Sequence, residues 1–436
     1  MKFIFPLNLE DRIDMNYVII GNGPAGVIAA ETLRKCDPHG GITLIGDEPE
    51  PPYSRMAIPY LLIGDIQEAG TYLRKGANHF KNLKIELLVA RAEKVDSKNK
   101  KVFLNNGKTV SYGKLLIASG SRPISPPING INLPGIYPCW TLEDSRHIMK
   151  LAKKGARVLQ MGAGFIGCII LEALASRGVE LTVVEMGNRM VPRMMTEAAG
   201  GLIKKWCEKK GVKVFTSTKV ESIEKSTDRI NPLKVNLSNG KSMVVGLVIS
   251  ATGVRPNIEF LKDSGVVTET GIKVDETMQT SVPGVYAAGD VAQAKEFYTG
   301  AQLVNAIQPN AADQARIAAL NMAGKDAASQ GAMAINVLNT LGLISSSFGQ
   351  WMGVAGGEHA ELLDAENYRY LHLEFKDDIL VGATSLGLTQ HVGVIRGLIQ
   401  GKIRLEQWKD RLLKDPTRIM DAYLARTQGT NFKLAA

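Results

Sequence analysis

The chain has 436 residues, 45% of them hydrophobic, which is too long for one ordinary domain and apolar enough for several buried cores. Its net charge of +9 is not gathered into a dense Lys/Arg run with interleaved aromatics, so nucleic acid is not an expected partner. Cys36, Cys139, Cys168 and Cys207 lie far apart and form no C-x-x-C, which excludes a redox disulfide, an iron-sulfur centre or a zinc site encoded by spacing. The opening MKFIFPLNLEDRIDM carries acids and a proline without an apolar h-region, so residues 1–15 read as an N-terminal arm and not a signal peptide.

Residues 17–26, YVIIGNGPAG, follow. A short apolar strand runs directly into Gly21, Gly23 and Gly26 in the G-x-G-x-x-G spacing, with the helix-forming VIAAETLRK behind it. Gly21 allows the tight turn, Gly23 lets the main chain approach a pyrophosphate, and Gly26 lets helix and strand pack closely. Phosphates then meet free N–H groups at a helix N-terminus. GITLIGDE is a second strand, and Asp47 stands about 20 residues past the glycines, where a carboxylate takes ribose hydroxyls.

The prolines of EPEPPYSRMAIPYLL exclude a central strand, leaving a segment able to lie along a ligand. Residues 83–112 read as short strands in a local antiparallel excursion, with a turn at Asn106-Gly107. Residues 115–123, LLIASGSRP, form an apolar strand ending in small residues.

The fingerprint then recurs. Helical TLEDSRHIMKLAKKG leads into ARVLQMGAGFIG, with Gly162, Gly164 and Gly167, and LTVVE ends a further strand at Glu185. FIGCIILEALASRG stops at Gly178 as a C-terminal glycine predicts, and GLIKKWCEKKG is another amphipathic helix. Residues 247–257 echo 115–123: an apolar run, a small-Gly pair, then Arg-Pro. The repeat predicts two dinucleotide sites. VYAAGDVAQ supplies a strand running into Gly289 and Asp290, followed by a helix from about Asn310 to Met322. From Lys325 the texture changes to mixed strands and a helix-rich end, a third domain. The nearest approach to a membrane-spanning run is GAMAINVLNTLGLISSSFG, interrupted by Asn and Ser, so no membrane is expected and the cytoplasm is the expected location.

This order of motifs resembles the FAD-dependent pyridine nucleotide oxidoreductases over residues 16–436. The elements are the first glycine turn, Ala118-Ser119-Gly120, the second glycine turn, Ala251-Thr252-Gly253, and Gly289-Asp290. The resemblance implies an α/β fold of two Rossmann-like dinucleotide-binding domains, the NAD domain inserted in the FAD domain, plus a C-terminal α+β interface domain. Its boundaries are 16–136 and 257–324 for FAD, 137–256 for NAD(H) and 325–436 for the interface domain. FAD is implied at Gly21, Gly23, Pro24, Ala25, Gly26, Asp47, Arg55, Ala92, Ser119, Gly120, Gly289, Asp290, Pro309 and Asn310. NAD(H) is implied at Gly162, Gly164, Phe165, Ile166, Gly167, Glu185 and Gly253. Arg55, in PYSR, resembles an FAD-supporting arginine of the ferredoxin-reductase and apoptosis-inducing-factor branches; a solvated loop arginine is the alternative. Glu185 favours NADH by repelling a 2′-phosphate, with Arg189 and Arg193 nearby as counterweights.

The departures from the family are as informative. In the NADH oxidase, NADH peroxidase and coenzyme A disulfide reductase branch, a redox cysteine stands where this chain has Met56, and a thioether cannot cycle as a thiolate does. Tyr60 and Ile169 occupy the places of a lysine and glutamate that often pair beside the flavin in ferredoxin-reductase-like relatives. By the same match, Met56, Tyr60 and Ile169 lie near the flavin, and catalysis is flavin-centred, with no side-chain acid, base or metal. The resemblance extends, more loosely, to the NADH-oxidising module of nitrite reductase and to FAD/NAD subunits of multisubunit iron-sulfur enzymes such as tungsten aldehyde oxidoreductases and 2-oxoacid dehydrogenases. The implied partner is therefore an iron-sulfur electron-transfer protein or subunit, with assembly as a homo- or hetero-oligomer left open. Direct reduction of oxygen and an NADH-responsive scaffold are the rival readings. The tail residues Arg396, Lys402, Arg404, Lys409, Arg411, Lys414 and Arg418 form either an acidic-partner dock or a solvated helix face, and Trp351 and Trp408 either anchors or core.

Overall fold

The computed structural model describes residues 15–428, so residues 1–14 of the expected arm lie outside the described residues. The chain forms two compact units. The first comprises the described part of Met1–Ser54 with Ala69–Arg122 and Arg255–Ala332; the second comprises Arg55–Glu68, Pro123–Val254 and the described part of Met333–Ala436.

In the first unit a parallel sheet runs in the order Val285–Ala287, Lys114–Ile117, Asn16–Ile20, Gly41–Gly46, Ile85–Val89. Its inner strands are continuous apolar runs because both faces are covered; Val18, Ile19, Leu115, Leu116 and Ile117 are fully buried. Helices Pro24–Cys36 and Gln308–Met322 pack together through small residues, among them Ala29, Ala30, Ala315, Ala318 and Ala319, which allow a close approach. The excursion expected over residues 83–112 is corrected in part. Ile85–Val89 pairs parallel to Gly41–Gly46 as the sheet's edge, and the antiparallel trio is Ala92–Asp96, Lys101–Leu104 and Thr109–Ser111. The edge strand exposes Leu87 and Val89, so its sequence lacks the pattern of a strand covered on both faces.

The second unit repeats the plan. Its parallel sheet has the order Lys213–Phe215, Glu180–Val184, Arg157–Met161, Leu247–Ser250, Ile136–Tyr137, with an antiparallel trio of Val220–Lys225, Leu233–Leu237 and Ser242–Val245. Helix Leu142–Leu151 starts at a capping box, in which Thr141 Oγ1 accepts from Asp144 N–H and the Asp144 carboxylate accepts from Thr141 N–H. Helix Phe165–Ser176 ends just before Gly178, which takes φ +72°. The PYSRMAIPYLL segment forms a 3-10 turn, Arg55–Ala57, and a helix, Ile58–Ile63, with Pro59 in its first turn.

Residues 333 onward build a five-stranded antiparallel sheet in the order Ile335–Thr340, Leu343–Gly349, Ile379–Leu386, Arg369–Lys376, Glu358–Asp364, followed by helices Val392–Gln400, Gln407–Lys414 and Ile419–Thr427. The apolar run considered as a membrane span is the first hairpin of that sheet. Among the described residues no helix is long and apolar enough to cross a membrane.

A polar lock fixes the outer face of helix Pro24–Cys36. Arg74 donates twice to the Glu31 carboxylate at 2.5 Å, and His79 Nε2 lies 2.8 Å from Glu31 Oε1. Burial pushes the Glu31 carboxyl up, but hydrogen bonds from Arg74 and His79 outweigh it and hold the group below its usual range. A depressed carboxyl stabilises the fold above its unfolded value and loses that contribution as pH falls through the folded one. Glu31→Gln is therefore expected to lower stability by about 1 kcal/mol at neutral pH, with the difference from the parent shrinking as pH drops below ~4; thermal melts across pH check this.

Candidate dinucleotide sites

The first glycine turn is built from main chain alone. Gly21, at φ +109°, donates N–H to Ile45 O, and a Cβ there would lie 2.0 Å from Ala118 O. A Cβ at Gly26 would lie 1.8 Å from Gly21 O. Any larger residue at either position breaks the approach of turn, helix and neighbouring strand. Gly23 is different: its Cβ direction meets nothing within 4 Å. That space lies at the N-terminus of helix Pro24–Cys36, which has no side-chain cap, no acid in its first turn and Pro at its start. Ala25 is in the same turn, and a Cβ on Gly289 would meet the Ala25 and Ala311 methyl groups at 3.3 and 3.5 Å.

Residues from four other places in the sequence converge on this unit. Gly289, φ +83°, donates N–H to Gln314 Oε1 at 2.9 Å, and Ser121 Oγ donates to Asp290 Oδ2 at 3.0 Å. Helix Gln308–Met322 also begins without a side-chain cap or an early acid, with Pro309 and Asn310 in its first turn. Its dipole thus favours negative charge on whatever faces it. Just before it, the buried Asn305 Nδ2 has no hydrogen-bond partner, a donor that a polar ligand edge would satisfy. Ser119 Oγ donates to Asn257 O while Asn257 Nδ2 donates to Ser119 O, and Asn257 N–H donates to Gly120 O, tying the first small-Gly strand end to the chain after the second.

Three expected residues sit less centrally. Asp47 is exposed at the strand's end, and the register gives Gly46 the place that Glu185 holds in the repeat, with the Asn22 amide filling the space of a Gly46 Cβ. Ala92 opens the antiparallel trio opposite Leu104. Arg55 belongs to the second unit, where Nη1 donates to Trp140 O at 2.8 Å and the guanidinium lies 5.3 Å from the Trp140 ring centre.

The second turn reproduces the first. Gly162 has φ +96° and donates to Val184 O; a Cβ on it would lie 2.3 Å from Ala251 O, and one on Gly167 would lie 2.5 Å from Gly162 O. Gly164 again meets nothing, and its φ and ψ of −73° and −170° match the −73° and −171° of Gly23. Phe165 and Ile166 begin an uncapped helix with no acid in its first turn. The Glu185 carboxylate is held by two main-chain donors, Ala163 N–H and Gly187 N–H, both at 2.7 Å, and keeps lone pairs for ribose hydroxyls. Arg189 is committed elsewhere, donating to Met195 O, Pro192 O and Asn188 Oδ1. Gly253 accepts from Ile124 N–H, and Thr252 Oγ1 donates to Ile124 O, so the second small-Gly strand end is fixed by its own unit. Both turns fit a dinucleotide by the same test: crowded glycines where the chain must close, and an open glycine where phosphate must approach.

Met56 and Tyr60 are exposed, on the segment carrying helix Ile58–Ile63, which packs against the Ile169-bearing helix Phe165–Ser176. Cys139, Cys168 and Cys207 are buried, and Cys36 is half-buried. Burial pushes the Cys139 and Cys207 thiols up to about 12 and the Cys168 thiol well above its usual value. Thiols in such surroundings stay protonated and unreactive at neutral pH. The basic tail is largely spent locally: Lys409 pairs with Glu358 and Arg418 with Asp421, both at 3.0 Å, while Arg411 and Arg418 lie over the Trp408 ring. That favours the solvated-face alternative; Trp351 is core.

Sequence reasoning missed Gln160, Gln314, Asn257 and Asn305. A signal existed for Gln160, a polar residue inside the buried strand Arg157–Met161, and for Gln314, a buried glutamine among helix alanines.

Paired glycine turns of this geometry, each following the central strand of a parallel sheet, define a protein with two dinucleotide-type folds. The pyridine nucleotide-disulphide oxidoreductase family profile matches residues 15–315, and the chain belongs to that family. It is an FAD-dependent oxidoreductase that uses NADH. It is 35% identical over 322 residues to an NADH oxidase of Methanocaldococcus jannaschii, covering 72% of this chain and 71% of that protein. It is 30% identical over 416 residues to the NADH-dependent phenylglyoxylate dehydrogenase subunit epsilon of Aromatoleum evansii, covering 94% of this chain and 97% of the relative. A 3-phenylpropionate/cinnamic acid dioxygenase ferredoxin–NAD(+) reductase component of Photorhabdus laumondii subsp. laumondii is 30% identical over 312 residues, 71% of this chain and 78% of that one.

Gly164→Ala is expected to leave the melting temperature within roughly 2 °C, since the added methyl meets no protein atom, while weakening NAD+ at least ~10-fold by calorimetry. Gly162→Ala, which puts a methyl on Ala251 O at positive φ, is expected not to fold.

Proposed function

We propose that the chain passes electrons between NAD(H) and an iron-sulfur protein or subunit. FAD belongs to the first glycine turn with Ser119, Gly120, Gly289, Asp290, Pro309 and Asn310, all within the first compact unit. NAD(H) belongs to Gly162, Gly164, Gly167, Glu185 and Gly253, within residues 137–256. Residues 325–436 serve as the interface domain. Held at the first glycine turn, FAD would supply the link between a two-electron hydride donor and a one-electron iron-sulfur acceptor.

The protein's own part is positioning. Main-chain N–H groups at three uncapped helix starts offer anion sites, and the Glu185 carboxylate selects a free ribose over a 2′-phosphate. The observation that carries the reading is the missing thiolate. Met56 stands where the disulfide and peroxide reducers keep a cysteine, and burial disarms Cys139, Cys168 and Cys207, so these positions would offer a bound flavin no thiol relay. The near full-length likeness to a dehydrogenase subunit, together with that to a ferredoxin–NAD(+) reductase component, supports a protein acceptor.

A second reading, direct reduction of oxygen, draws on the likeness to an NADH oxidase. Anaerobic stopped-flow separates the two. NADH is expected to bleach the flavin band rapidly, with fast reoxidation by ferredoxin and slow reoxidation by air; fast reoxidation by air alone would overturn the proposal. Iodoacetamide under native conditions is expected to label Cys36 alone by intact mass, without loss of NADH-driven flavin bleaching. A labelled Cys139, Cys168 or Cys207 that abolishes bleaching would reinstate a thiol mechanism.

A further inference from the structure

At one buried strand position the two glycine turns exchange an aliphatic residue for an amide. Aligned on Gly21 and Gly162, the first strand places Ile19 where the second places Gln160, and both are fully buried. Gln160 Nε2 donates to Gly162 O at 2.9 Å and to Gly167 O at 2.8 Å, while its Oε1 is buried without a partner. An orphaned acceptor costs stability, and the first turn shows that an aliphatic residue fills the same place. The first turn closes without such an amide, so the amide adds something that turn closure alone does not require.

The peptide plane indicates what. In the trans peptide joining Gly162 to Ala163, the carbonyl and the N–H point in opposite directions. Gln160 holds the carbonyl, so the N–H of Ala163 is aimed at Glu185 Oε2, 2.7 Å away. The second bond, to Gly167 O, fixes the start of the helix relative to the same peptide. We infer that Gln160 is a positioning residue for NAD(H), orienting the Glu185 carboxylate through the Gly162–Ala163 peptide and so setting both affinity and discrimination against a 2′-phosphate. The inference rests on the reading of Glu185 as the ribose ligand.

The test uses the FAD-loaded full chain and calorimetric dissociation constants for NAD+ and NADP+, with melting temperature and flavin content as folding controls. Gln160→Met keeps length and removes the donor; Gln160→Ile, the residue of the first turn, is the second variant in case the first folds poorly. Each is expected to melt within roughly 4 °C of the parent, the lost donor offsetting the lost orphan acceptor, to weaken NAD+ roughly three- to tenfold, and to narrow the NAD+/NADP+ ratio. In a steady-state assay KM for NADH rises with kcat unchanged. Adding Glu185→Ala to either variant is expected to cost no more than Glu185→Ala alone, because both act through one carboxylate. Unchanged NAD+ affinity in both Gln160 variants, with a loss in Glu185→Ala, overturns the inference and leaves the reading of Glu185 standing. Unchanged affinity in Glu185→Ala overturns both. Full additivity in the double variants shows that Gln160 acts by another route and also overturns the inference.

Discussion

Each nucleotide fold of this protein depends on one close contact between main chains. A glycine turn is pressed against the carbonyl at the end of the next parallel strand, Gly21 against Ala118 and Gly162 against Ala251, with no room for a methyl group. The closeness brings the following helix down onto the sheet, as Gly26 against Gly21 O and Gly167 against Gly162 O show. The helix then starts beside the end of the sheet's central strand, with first-turn N–H groups that have no intrahelical partner. Nothing in the side chains caps those starts, although Thr141 and Thr196 cap other helices of the same chain. Leaving them bare costs helix stability and preserves a place for phosphate.

The repeat has been kept in its frame and altered in its detail. Both units share the order of four parallel strands and an antiparallel trio at the same point of the chain, the fifth strand coming last in the first unit (Val285–Ala287) and first in the second (Ile136–Tyr137), and the open glycines have nearly identical backbone angles. The acid has diverged. In the second unit Glu185 is clamped by two N–H donors, whereas in the first the register position is Gly46, covered by Asn22, with Asp47 one residue further on and exposed. A tightly held carboxylate suits a cosubstrate that must be selected and released, and the first unit adds instead a second helix start, Gln308–Met322, and the buried Asn305 amide. Those features suit a group held permanently.

The sequence makes the glycine turns legible because their constraint is local: positive φ and absent side chains leave glycine no substitute. The paired small-Gly strand ends and Gly289-Asp290 are legible for the same reason. What escaped sequence reading depends on distant partners. The edge strand Ile85–Val89 carries exposed Leu87 and Val89, so only pairing reveals it as parallel. Residues 55–68 belong with the second unit because Arg177 donates to Leu62 O and Arg146 pairs with Glu68, bonds spanning 115 and 78 residues. Gln160 is visible in the sequence as a polar interruption of a buried strand, but its meaning emerges only when Gly162, Ala163 and Glu185 are placed around it.

The central claim is that one chain holds two nucleotides at two separate glycine turns. Nucleotide stoichiometry tests it most directly: FAD released from the denatured protein is counted by absorbance, and the FAD-loaded chain is titrated with NAD+ in a calorimeter. The account predicts one FAD per chain and one NAD+ bound without FAD release. Displacement of FAD by NAD+, or no NAD+ binding to a fully flavinated chain, would contradict it.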